Sequence, residues 1–96
     1  MNENFQGELS FQWDTGNSGK NFQKHQVSND ECEQVFVDPD KIMVPDPKHS
    51  GREKRFIIIG KSKIGRALCI VFTIRYSQIR VISARDLNRK EKIRYL

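Results

Sequence analysis

Three strand-forming runs follow one another between residues 54 and 85: KRFIIIG (54–60), RALCIVFTIRY (66–76) and QIRVISAR (78–85). Each is rich in β-branched and aromatic residues, and the linkers between them, KSKIG and YS, have hairpin length. A parallel neighbour would need a crossover of about a dozen residues or more, so runs this close pair as an antiparallel meander. Alternation then assigns faces. Leu68, Ile70, Phe72 and Ile74 point one way, while Cys69, Val71, Thr73 and Arg75 point the other. The fully apolar set is expected to face the helices. Arg55 shares a face with Ile57 and Ile59, and Glu53 lies on the same side. The last run does not sort. Arg85 goes with Ile79, Val81 and Ser83, and Arg80 goes with Ile82 and Ala84, so both faces are mixed and the orientation stays open.

Upstream, residues 1–8 are polar and expected to be loose. LSFQW (9–13) alternates and predicts a short first strand. Asp14 or Thr15 is placed to cap a helix running to His25, with Phe22 toward the core, although Gly16 and Gly19 weaken its first turn. VSNDECEQVF predicts a second helix, because Ser28 and Glu31 have capping-box spacing and Cys32, Val35 and Phe36 form an apolar stripe. The Asp- and Pro-rich stretch before the meander predicts a loop with at most a short edge strand at Lys41–Val44. Asp86 is placed to cap a last helix, LNRKEKIRYL, with a sparse apolar face. The expected order is β-α-α-(β)-β-β-β-α. That is an α+β domain over residues 9–96, an antiparallel sheet with helices packed on one face.

Charge is segregated along the chain. Residues 52–96 carry thirteen Lys and Arg against Glu53, Asp86 and Glu91, while residues 1–51 carry four Lys against nine acidic residues. Such asymmetry suits a polyanion such as nucleic acid, or an acidic protein partner; a solvated face is the plainer alternative. Cys32 and Cys69 stand among apolar residues with no CxxC spacing, which predicts two buried, reduced thiols. The N-terminus lacks a signal-peptide pattern, and the longest apolar runs are far short of the roughly 20 residues that span a bilayer. A cytoplasmic protein without membrane contact is expected.

Glu53, Arg55, Arg75 and Arg85 are expected to converge near strand ends on one sheet face, with Lys24, His25, Lys48 and His49 in loops or helix ends beside it. Cleaving a phosphodiester needs a base for the nucleophile, a cation for the developing phosphorane charge and an acid for the leaving oxygen. RNA brings its own nucleophile, the 2′-OH, so a carboxylate or imidazole with two or three arginines suffices without metal or other cofactor. Arginine suits phosphate because its planar fork donates two parallel hydrogen bonds. Taken alone, such residues are more often ion pairs or solvated charges. Trp13 can stack a base or belong to the core. Asp38, Asp40 and Asp46 fit turns better than a metal site.

Three stretches together resemble the BrnT family of bacterial type II toxins. FQWDTGNSGKNFQKHQVSNDECEQVF is similar to the family's F-x-W-D, then N-x-x-K-H-G-V-S, then an acidic helix ending V-F. PDPKHSGREKRFIIIGKSKIGRALCIVFT is similar to D-x-x-H…E-x-R-x…I-G-x-S…G-R-x-L-x-V-V-x-T. RYSQIRVISARDLNRKEKIRYL is similar to R…I-R-I-I-S-A-R-x-A-x-R-x-E-R-x-x-Y. The resemblance implies a RelE-like fold and a ribonuclease toxin that halts translation by cutting RNA. It also implies a BrnA-type antitoxin, a toxin–antitoxin heterotetramer, and DNA binding only through the antitoxin. The positions carried across are Trp13, Lys24, His25, His49, Glu53, Arg55, Arg75, Ser83 and Arg85. Two positions depart from the family's pattern: Gln26 replaces its glycine, and Asn17 replaces a lysine common after W-D.

In the reaction so implied, Glu53 or His49 deprotonates the 2′-OH. Arg55, Arg75 and Arg85 hold the phosphate and stabilise its growing charge. Lys24 or His25 positions the strand or assists the leaving group, and Trp13 and Ser83 contact RNA. A binding module without catalysis is the competing expectation. A DNA-contacting regulator is disfavoured, since no recognition helix with its usual turn is legible.

Overall fold

The structure, a computed structural model, describes residues 9–48 and 51–96. The meander forms as expected from β2 (Arg55–Lys61), β3 (Ala67–Arg75) and β4 (Gln78–Asp86), with β1 (Ile42–Pro45) antiparallel on the free side of β2. The YS linker is a two-residue turn in which Tyr76 and Ser77 both have positive φ, 52° and 64°. This is the mirror-image turn whose twist matches that of the flanking strands.

The stretch 9–13 does not become a full strand. Phe11 makes a single parallel bridge to Ile79, Ile79 N–H donates to Ser10 O at 2.9 Å, and Gln12 N–H donates to Ile79 O at 2.8 Å. The first helix, α1 (Lys20–His25), is shorter than expected because Gly19 takes a left-handed φ of 76° and interrupts it; Asp14 closes a turn ahead of it instead. Phe22 is 52% exposed, and Asn21 is the residue that α1 buries.

α2 (Asn29–Val35) follows its sequence closely. Ser28 Oγ accepts from Glu31 N–H at 3.1 Å, Glu31 Oε1 accepts from Ser28 N–H at 3.3 Å, and Cys32, Val35 and Phe36 are buried. These side chains pack on Ile58, Leu68, Ile70, Phe72, Ile79, Val81 and Ala84, the inner face of the sheet. Phe36 meets Phe11 and Phe72 edge-on at 5.2 and 5.0 Å, and such contacts add to the area they bury.

α3 (Arg89–Tyr95) departs from the expectation of helices on one face. Its Tyr95 packs with Leu87, which follows β4, and with Ile57, Ile59, Ala67 and Cys69, the outer-face residues of β2 and β3. The reason lies in the strands: Ile57, Ile59 and Cys69 make the second face apolar at one end, and that end needs cover. Asn88, not Asp86, caps α3, in a capping box with Glu91. Asp86 instead accepts from Arg66 through Nε at 2.7 Å and Nη2 at 3.0 Å. Arg66 also donates to the carbonyls of Gln26 and His25 and to Glu31, so one fork ties the end of α1 and the start of α2 to the end of β4.

The unsorted pattern of β4 has a physical cause. Val71 pairs with Ser83 but Phe72 pairs with Val81, so a bulge at Ile82 switches the alternation midway. Ile79, Val81 and Ala84 therefore all face inward, and Arg80, Ser83 and Arg85 all face outward. Two buried asparagines continue the hydrogen bonding along this stretch. Asn17 Nδ2 donates to Val81 O at 3.1 Å, and Asn21 Oδ1 accepts from Ala84 N–H at 2.9 Å. Among the described residues no helix is long and apolar enough to cross a membrane.

Candidate nucleic-acid interface

The outer sheet face is capped by α3 at one end and carries arginines at the other. Arg55 of β2, Thr73 of β3 and Arg80 of β4 form a row across three strands, with Arg75 one pleat further along β3. Thr73 Oγ1 donates to Lys54 O at 2.7 Å and holds the start of β2 against β3. Glu53 completes this end: its carboxylate accepts from Arg75 Nε and Nη2, both at 2.8 Å. The arginine holds the Glu53 carboxyl below the usual carboxylate range, with Arg55 and Arg80 adding to the effect. The two-pronged geometry makes Glu53 the group that orients Arg75.

Arg85 lies on the same face but at the far end. Its partner on β3 is Cys69, six positions from Arg75, about 20 Å at ~3.3 Å per residue. The expected convergence of Arg85 with Glu53 and Arg75 is therefore corrected: both forks cannot grip one phosphate. The bulge does bring Arg85 to the outer face, but strand length separates it from Arg75. Arg85 pairs with Glu91 of α3 through Nη1 at 2.7 Å and Nη2 at 2.8 Å. Glu91 is pulled down to about 2, first by Arg85 and then by the Asn88 N–H.

Exposure separates the arginines that can meet a ligand from those that hold the fold. The side chains of Arg75 and Arg85 are 40% and 43% exposed, whereas those of Arg66 and Arg80 are 22% and 15%. Arg80 donates to Asp14 and Gln12, fastening the N-terminal segment over β4, and a Cβ on Gly16 would meet its Nη2 at 2.8 Å.

The remaining expected residues divide. Ser83 is exposed between the two ends on β4, opposite Val71. Lys24 and His25 are exposed on the last turn of α1, and the His25 carbonyl accepts from Arg66, which sets them at the Asp86 end, away from Glu53 and Arg75. Trp13 packs against the inner core and its indole N–H donates to Glu33 at 2.7 Å, so its ring belongs to the opposite face. His49 lies outside the described residues. Asp38 closes a turn, accepting from Lys61 N–H at 2.7 Å and Asp40 N–H at 3.0 Å. Sequence reasoning missed Arg80 as a neighbour of this cluster. Its signal was the pattern of inward residues at 79, 81 and 84, a parity change that only a bulge permits.

Residues 13–91 match the family described as ribonuclease toxin, BrnT, of type II toxin-antitoxin system. Comparison with curated proteins returns no match. The matched span runs from Trp13 through the whole sheet to Glu91, and with it every element that positions the arginine face; the chain belongs to the BrnT family of type II toxin–antitoxin ribonuclease toxins.

Proposed function

We propose that this protein is an endoribonuclease that needs no metal, cuts RNA through its own 2′-OH and thereby stops translation. The observation that carries this reading is the half-exposed Arg75, held by Glu53 at the open end of the sheet with Arg55 in the adjoining row. Arg75 and Arg55 bind the scissile phosphate. A base takes the 2′-OH proton, O2′ attacks phosphorus, the P–O5′ bond breaks, and O5′ takes a proton to leave as a hydroxyl. The products are a 2′,3′-cyclic phosphate, or the 3′-phosphate formed from it by water, and a 5′-hydroxyl. Because its carboxyl is held low, Glu53 orients Arg75 rather than taking the proton. The base is then His49, on the sequence grounds already given. Arg85, Ser83, Lys24 and His25 bind the strand away from the reacting phosphate.

The partner in this reading is a BrnA-type antitoxin, in a heterotetramer that contacts DNA through the antitoxin. Support comes from the family and from the basic charge of residues 52–96.

The test is incubation of partner-free protein with RNA in excess EDTA, alone and with translating ribosomes, followed by mapping of the ends. Cleavage leaving 5′-hydroxyl ends is expected. Arg75→Ala should lower kcat about 10²–10³-fold, and Arg85→Ala should act mainly on KM. Glu53→Gln keeps an acceptor for Arg75 and should retain most activity; a loss as deep as that of Arg75→Ala would return the base to Glu53. The competing reading, RNA binding without cleavage, draws on the fact that Arg75, Arg80 and Arg85 are each already paired with a carboxylate. It predicts intact RNA in both conditions.

A further inference from the structure

The β3–β4 turn is built from residues that do not suit it. A two-residue turn with positive φ at both positions is the place for Asn-Gly, and a bulky side chain at positive φ is an outlier. Here the turn holds Tyr76 at φ 52° and Ser77 at φ 64°. The strain is not repaid by packing, since Tyr76 is 89% exposed, more than any other large apolar side chain of the described residues. The residue immediately before it is Arg75, the fork proposed to hold the scissile phosphate. Strain of this kind is characteristic of sites where a side chain is displayed for binding.

We propose that Tyr76 is the base-stacking residue of the RNA site, its ring receiving the base of a nucleotide next to the phosphate held by Arg75. This rests on the reading of the Arg75 end as the RNA site. A flat aromatic beside a phosphate-binding arginine is the usual way a protein holds an unpaired nucleotide, with the fork on the backbone and the ring on the base. The ligand class is accordingly single-stranded RNA, and the contact tolerates different bases because every base offers a π-face. The outward side chains of β3 and β4 themselves are aliphatic and polar, Tyr95 of α3 is packed on the apolar cluster at the far end of this face, and Trp13, the other candidate for stacking, is engaged in the core on the opposite face. Tyr76 is thus placed to take the role that the sequence offered to Trp13.

The turn strain supplies a test in which function and stability move in opposite directions. Tyr76→Asn relaxes the turn, so its Tm should rise by a few degrees. Its affinity for a short single-stranded RNA should nevertheless fall about tenfold to a hundredfold, the effect of losing one stacked base. Tyr76→Phe should bind as the parent does. Replacing the nucleotide beside the scissile phosphate by an abasic one should weaken binding to the parent protein and leave Tyr76→Asn unaffected. Wild-type affinity in Tyr76→Asn overturns the proposal, as does an equal abasic penalty in both proteins. Should the parent bind RNA but leave it uncut with and without ribosomes, the stacking role stands and the proposed catalysis fails; failure of the parent to bind single-stranded RNA overturns the stacking role, and the ribosome assay then decides the catalysis separately.

Discussion

Single side chains explain the two departures from the family's pattern. Gln26 occupies the left-handed position that ends α1, at φ 60°, and its N–H donates to Phe22 O at 2.9 Å. The turn is kept without glycine, at a cost of roughly 1 kcal/mol. Gln26→Gly should therefore stabilise the protein by about that amount, visible as a rise of several degrees in Tm. An unchanged or lower Tm would mean that the Gln26 side chain contributes more than its backbone strain costs. Asn17, where the family often has lysine, is a buried bracket. Its amide holds Gln12 O and Val81 O beside the β4 bulge, while Asn21 does the same for Ala84 N–H. A lysine there has no acceptor to offer Asp14 N–H, which Asn17 Oδ1 takes at 2.9 Å.

Among the elements, α3 has the lightest hold. None of its residues is buried, and it is kept on the outer face by Tyr95, by its capping box and by the Arg85–Glu91 pair. The last of these sets a pH dependence. Arg85 and the Asn88 N–H pull the Glu91 carboxyl down to about 2 in the folded protein, from the 4.5 of an ordinary glutamate. A depressed folded-state value means that the stabilisation is present above about 4.5 and is lost as pH falls toward 2. The protection factors of the α3 amides, exchange corrected for its intrinsic pH dependence, should fall over that interval while those of β3 hold. In Glu91→Gln the helix should exchange faster at neutral pH and lose this acid dependence. Equal acid sensitivity in the two proteins would assign the effect to other carboxylates.

At the level of the whole molecule, one sheet face displays two exposed arginines about 20 Å apart by strand rise, each oriented by a glutamate. In the proposed function a single RNA strand lying along β3 and β4 meets both, with Arg75 and Arg85 on different phosphates. For single strands, log affinity falls against log salt with a slope of about −0.7 per phosphate. Arg75→Gln and Arg85→Gln should each make that slope shallower by about 0.7, and the double variant by the sum. A slope untouched by Arg85→Gln would confine the contact to the Glu53 end. The sheet also divides the cysteines: Cys32 is in the inner core and Cys69 in the outer cluster, both free. Burial pushes the Cys32 thiol up to about 12, as suits an inert core group.

Local chemistry carried much of this architecture in legible form. The Ser28–Glu31 box and the apolar stripe behind it specify α2, and the short linkers specify the antiparallel meander, because caps and tight turns act over a few residues. The basic charge of the second half is likewise a property of composition. Tertiary structure decided what depends on register and on competition for partners. The β4 bulge turned Arg80, Ser83 and Arg85 to one face, against simple alternation. Strand length placed Arg85 far from Arg75, and Asp86 went to Arg66, leaving Asn88 to cap α3. Trp13 was drawn inward by the core and Tyr76 left outside at a strained turn, since a side chain's burial is set by what packs over it, and that is decided by residues distant in the chain.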